Sequence, residues 1–73
     1  MIEVRAHITG SLWKVAVSEG DAVKEFDTLV IIESMKMEIP IEAPADGVVR
    51  RLVAAEGAQL TAGDVILLLE ERA

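Results

Sequence analysis

The chain has 73 residues, 52% of them hydrophobic, with no cysteine and a formal charge of −6 at pH 7. So short a chain forms at most one domain, residues 1–73, with a modest core and little depth for a catalytic cleft, yet it is far too apolar for a disordered segment. The acidity argues against a nucleic-acid partner, the lack of cysteine removes disulfides and thiolate metal sites, and the apolar runs 29–32 and 65–69 are far below the roughly 20 residues of a membrane span. The first residues show no basic segment followed by an apolar one, so no secretory signal is expected. A cytoplasmic protein, monomeric in isolation and without membrane contact, fits these features.

The predicted elements follow in chain order. An alternating run over 2–6 leads to a glycine turn at Gly10, and a second run over 12–17 ends at Glu19-Gly20. A short element around Val23 precedes an acidic turn at Asp27, and the run 29–32 reads as a buried strand. After a polar insert the succession starts again: 39–43, a turn at Gly47, 48–53, Glu56-Gly57, a short element around Leu60, a turn at Asp64, and the run 66–69. No stretch of a dozen residues carries an apolar stripe at period 3.6, and the aliphatics are largely of the kind that favours strands.

The chain is therefore written twice. A shift of 37 residues lays Met1–Lys36 on Glu38–Ala73 without a gap, with seven identical pairs: Ile2/Ile39, Ala6/Ala43, Gly10/Gly47, Glu19/Glu56, Gly20/Gly57, Asp27/Asp64 and Glu33/Glu70. Chance gives about two or three. Four strands per copy make eight in all, an all-β sandwich or flattened barrel. Neither copy buries a core alone, so the two should pack face to face about an approximate twofold axis. If that axis crosses the long direction of the domain, the junction at Lys36 and the chain termini sit at opposite ends.

That junction is the polar insert Glu33-Ser34-Met35-Lys36-Met37-Glu38. A two-residue hairpin favours Asn-Gly or Asp-Gly, because both central residues need positive φ; Met-Lys is a poor match. A tight turn here puts a non-glycine residue in an uncommon conformation, a sign of functional constraint. A tip lysine is a sterically free amine that can lose a proton and attack an activated acyl group, and the amide formed removes its charge. Methionines exposed on both sides would be soft recognition contacts; packed inward, they would be gap-fillers. On these residues alone a solvated hairpin tip and a charge-protected edge strand stay open as alternatives.

The insert resembles the Glu-Ala-Met-Lys-Met attachment motif of biotinyl (biotin carboxyl carrier) domains, close relatives of lipoyl domains. Val15–Val17 with Glu19-Gly20-Asp21-Ala22-Val23 looks like the family's strand and Glu-Gly-Asp turn. Glu42-Ala43-Pro44 with Asp46-Gly47-Val48-Val49 looks like its post-lysine segment, and the stretch from Glu56-Gly57 to Gly63-Asp64 like its closing hairpin. The likeness runs from about Ala6 to Glu70.

The resemblance implies a flattened eight-stranded barrel of two four-stranded antiparallel sheets, with the lysine on a hairpin turn opposite the termini. It implies that biotin protein ligase transfers biotin to Lys36, with Met35 and Met37 recognised by the ligase and Glu33, Ser34 and Glu38 flanking the turn. The domain would be a swinging arm, carrying carboxybiotin from a biotin carboxylase to a carboxyltransferase, with the bond chemistry left to its partners. No catalytic or metal-ligating residue is expected in the chain itself. His7 has no second His or Cys beside it, and Asp21, Asp27, Asp46 and Asp64 all stand at turns.

The chain departs from the family pattern at four points. Ser34 replaces the usual Ala, residues 6–10 keep only the Ala and Gly of Ala-Pro-Met-Pro-Gly, Phe26 stands where Gly is usual, and no thumb is inserted between Val17 and Val23. Glu33-Ser34 also resembles the start of the lipoyl motif Glu-Ser/Thr-Asp-Lys-Ala. A lipoyl or dual biotin/lipoyl attachment protein, modified by a lipoate ligase, is the alternative reading, and an unmodified interaction module is a third.

Overall fold

The computed structural model describes residues 1–72; Ala73, the repeat-mate of Lys36, lies outside them. Eight strands follow in order: β1 (Ile2–Arg5), β2 (Gly10–Val15), β3 (Ala22–Val23), β4 (Thr28–Ser34), β5 (Met37–Glu42), β6 (Gly47–Leu52), β7 (Gln59–Leu60) and β8 (Val65–Glu71). Shifted by 37, β2, β3 and β4 coincide with β6, β7 and β8 at both ends, so the repeat in the sequence is a repeat in the fold. Two antiparallel four-stranded sheets result, ordered β1-β8-β6-β3 and β5-β4-β2-β7, in a molecule of 36 × 19 × 18 Å.

The copies do not pack as two separate halves. Each sheet takes two strands from each copy, so the halves are interleaved rather than laid face to face. The expected closing hairpin is also absent, since β7 pairs with β2 and β8 with β1 and β6. A short connection does not make two strands partners here, because the chain keeps crossing between sheets to bring aliphatic faces from both copies into one core. Leu12, Leu29, Val30, Ile32, Ile41, Val49, Ile66, Leu67 and Leu69 are fully buried in it. Burying such a side chain contributes about 1.5–3 kcal/mol, and among the described residues no polar side chain is buried.

The turns repeat in detail. Asp27 Oδ2 accepts the Lys24 N–H at 2.9 Å and Asp64 Oδ2 the Thr61 N–H at 2.9 Å. The Phe26 N–H donates to the Ala43 carbonyl and the Gly63 N–H to the Ala6 carbonyl, both at 2.9 Å. Asp21 Oδ2 accepts the Ser18 N–H at 2.8 Å, so three of the aspartates close turns, whereas Asp46 Oδ1 accepts the Glu25 N–H at 2.8 Å and ties its segment to one 21 residues away. The two glycines expected to form turns do something else. Gly10 and Gly47 open β2 and β6, where a Cβ would overlap the carbonyl oxygens of Glu33 and Glu70. They are glycine because two backbones approach too closely for a side chain.

Candidate functional site

Among the described residues, β4 and β5 are the only consecutive strands that are also neighbours in a sheet. Their ladder runs from Thr28↔Glu42 to Ser34↔Met37 and leaves Met35 and Lys36 as a two-residue loop. Met35 has φ 51° and Lys36 φ 64°. Both central residues are thus left-handed, as the right-handed twist of a tight hairpin demands. For residues with a Cβ this costs roughly 1–2 kcal/mol each. The core-facing part of the ladder, Val30, Ile32 and Ile41, holds the loop in place.

The loop displays its side chains outward. Met35 is 92% and Met37 64% exposed, which excludes the gap-filling reading, and Lys36 is exposed between them. Glu33 and Glu38 face each other directly across the ladder, an unfavourable like-charge pair that stands open to solvent. The ion pairs among the described residues are Arg5–Glu3 and Arg50–Glu70, so the Lys36 ammonium is engaged by neither flanking carboxylate. The six residues expected at the site are brought together on one hairpin.

Hydrogen bonds locate that hairpin along the long axis. Ser34 Oγ donates to the Thr9 carbonyl at 2.9 Å, and Thr9 Oγ1 accepts the Ala62 N–H at 3.1 Å, next to the start of β8. At the other end of β8 the Arg72 N–H donates to the Asp46 carbonyl at 2.9 Å, and Asp46 holds Glu25 just before β4. β4 and β8 therefore run in opposite senses, and Ile2 pairs with Leu69 near the end of β8. The lysine lies at the end opposite Ile2 and Arg72, a strand length of roughly 20 Å away. Sequence reasoning missed Thr9 and Gly10 as supports of the hairpin; the Gly10/Gly47 identity was the available signal.

Elsewhere, His7 is exposed just beyond β1, and no three His, Cys, Asp or Glu residues among those described gather to hold a metal. What the hairpin offers is one solvent-facing primary amine on a rigid stem, flanked by two thioethers.

The model of the biotin-requiring enzyme family, of biotin/lipoyl type, matches residues 3–69. The chain belongs to the biotin/lipoyl family. It is 45% identical over 67 residues to the "Biotinylated protein TB7.3 homolog" of Mycobacterium leprae, covering 92% of this chain and 94% of that one. It is 44% identical over 66 residues to the "Biotin/lipoyl attachment protein" of Bacillus subtilis, covering 90% of each. The fold superposes on the crystal structure of Kluyveromyces lactis urea carboxylase with a TM-score of 0.89 at 30% identity, covering 94% of this chain and 6% of that larger one.

Proposed function

We propose that this chain is a biotin-carrying domain, modified on the Lys36 amine, that serves a biotin-dependent carboxylase as its mobile arm. The observation that carries the reading is the hairpin itself: two non-glycine residues held at positive φ to display one unpaired amine between exposed methionines. Biotin fits such a site, because a long acyl chain needs a sterically free amine and no cavity. Lys36 Nζ gives up a proton and attacks an activated carboxyl carbon; the new C–N amide bond replaces the bond to the leaving group. Met35 and Met37 are adaptable apolar contacts for biotin protein ligase, and Glu33, Ser34 and Glu38 shape the approach.

Biotin, once attached, supplies the carboxyl-carrying chemistry. The chain's own part is mechanical. Its eight strands hold the hairpin away from the termini, so the tip reaches the sites of a biotin carboxylase and a carboxyltransferase in turn at high effective concentration. The relative called a biotinylated protein and the match within a urea carboxylase support this reading. The relative named for both cofactors, together with Ser34, supports a second one, in which a lipoate ligase also acts on Lys36.

Intact mass after incubation with biotin protein ligase, ATP and biotin tests the assignment. One biotin per chain is expected, and none in Lys36→Arg. Biotin retained by that variant, or absent from the unaltered chain, overturns the first reading. One lipoyl group added by lipoate ligase, lost in the same variant, establishes the second.

A further inference from the structure

The two copies put equivalent residues at equivalent points, so each serves as a control for the other. In the second copy the Asp46 carbonyl accepts the Arg72 backbone N–H at 2.9 Å, one residue past the end of β8. The equivalent carbonyl in the first copy belongs to Thr9, and the equivalent donor is the Met35 N–H. There the chain bends into the hairpin, and that backbone bond is not made. The Ser34 hydroxyl stands in for it, donating to the Thr9 carbonyl at 2.9 Å. Glu71, at Ser34's place in the second copy, makes no such bond and has no need to.

Gly10 makes the substitution possible. A side chain there would overlap the Glu33 carbonyl and come within 2.9 Å of Ile32 Cγ2 and 3.1 Å of Ser34 Cβ. Its absence lets the end of β4 settle on the start of β2, which brings the neighbouring Thr9 carbonyl within reach of Ser34. Thr9 is itself fixed, since its Oγ1 accepts the Ala62 N–H at 3.1 Å. The lysine hairpin is thus tied through one hydroxyl to the β1–β2 loop, and through that loop to the turn before β8.

We propose that Ser34 is a positioning residue for Lys36: its hydroxyl replaces the hydrogen bond that the turning backbone withdraws from Thr9, and so holds the amine in one orientation for the enzyme that acylates it. This rests on the reading of Lys36 as the modified residue. A tip that samples several orientations presents the productive one only part of the time, and its apparent affinity falls by that fraction.

Ser34→Ala removes the hydroxyl and nothing from the core. Its KM as a substrate of biotin protein ligase is expected to rise about two- to tenfold, the range one hydrogen bond spans, with kcat unchanged. In the unmodified protein, backbone ¹⁵N order parameters at Met35, Lys36 and Met37 fall from about 0.85 toward 0.6, while those of Leu29 and Leu67 stay put. Ser34→Thr restores both. Unaltered order parameters in Ser34→Ala, or a fall in kcat at constant KM, overturns the proposal. The relaxation measurement needs no attached group, so it separates failure of this inference from failure of the Lys36 assignment, which Lys36→Arg tests alone.

Discussion

The first and second copies share a backbone plan and differ in what they show to solvent. Positions that answer to the fold agree: Asp27 and Asp64 close the same turn, Gly10 and Gly47 permit the same close approach, and Ala6 and Ala43 accept the same hydrogen bond. Positions that do not answer to the fold diverge. Phe26 stands opposite Gly63, Trp13 opposite Arg50, and the Met35-Lys36 turn opposite the run-on at Arg72. Pairing the copies thus sorts residues that build the domain from residues that were free to take on another task.

The largest effect is expected at the two glycines. Both are glycine for the same backbone reason, so Gly10→Ala and Gly47→Ala should each cost roughly 1–3 kcal/mol, the range for forcing atoms into a filled space. Denaturant titration checks it, and the two losses should agree within about 1 kcal/mol. They should part in function. Gly10→Ala disturbs the stem of the lysine hairpin and lowers ligation, whereas Gly47→Ala, at the far end, leaves the ligation rate of the folded fraction unchanged. A cost below about 0.5 kcal/mol at either site shows that the neighbouring strand gives way.

A smaller effect separates Phe26 from Gly63. The two turns share their hydrogen bonds, yet Phe26 is held at φ 75° and Gly63 at φ 97°. A side chain at positive φ is strained, and Phe26 recovers little by burial, being 69% exposed. Phe26→Gly should therefore stabilise the domain by about 1 kcal/mol, and Gly63→Ala should destabilise it by a similar amount. Shifts of opposite sign in the denaturation midpoint, at unchanged slope, are the expected result. Loss of stability in Phe26→Gly means that the ring makes contacts its exposure does not suggest.

How far the sequence reveals this architecture depends on the range of each interaction. Strands and turns are local, and the alternation around Val4, Leu12 and Val49 with the Gly-Asp punctuation was enough to find all eight elements and the repeat. Strand pairing is not local. Nothing in residues 56–64 says that β7 and β8 join different sheets, or that Gly10 is a point of close approach rather than a turn. The site divides in the same way. Met-Lys was legible as an unsuitable pair for a tight turn, and the structure shows both residues at positive φ. The Ser34–Thr9 bond was hidden, because the need for it arises only where one copy bends and the other runs on. The cofactor came from likeness to a family; the residues by themselves offered only an exposed amine.

The smallest expected effect concerns Arg50 and Glu70, whose counterparts are Trp13 and Glu33. Arg50 Nη2 donates to Glu70 Oε2 at 2.7 Å. That bond and the guanidinium charge hold the Glu70 carboxyl below the usual carboxylate range, with Arg72 and the chain's amino terminus pulling the same way. A folded-state pKa below the unfolded one gives stability that is present above the unfolded value, near 4.3 for a glutamate, and is lost as pH falls through the folded value. The pair is about half exposed, so solvent and salt keep the contribution small. Arg50→Gln removes the charge and leaves the second copy without a cation at this point, as the first already is. The Glu70 titration, followed by carboxyl NMR, should move up toward the ordinary range, and the stability lost between neutral and acidic pH should shrink. A Glu70 titration unmoved by that change would mean that Arg72 and the amino terminus, gathered at the end away from Lys36, hold the carboxyl by themselves.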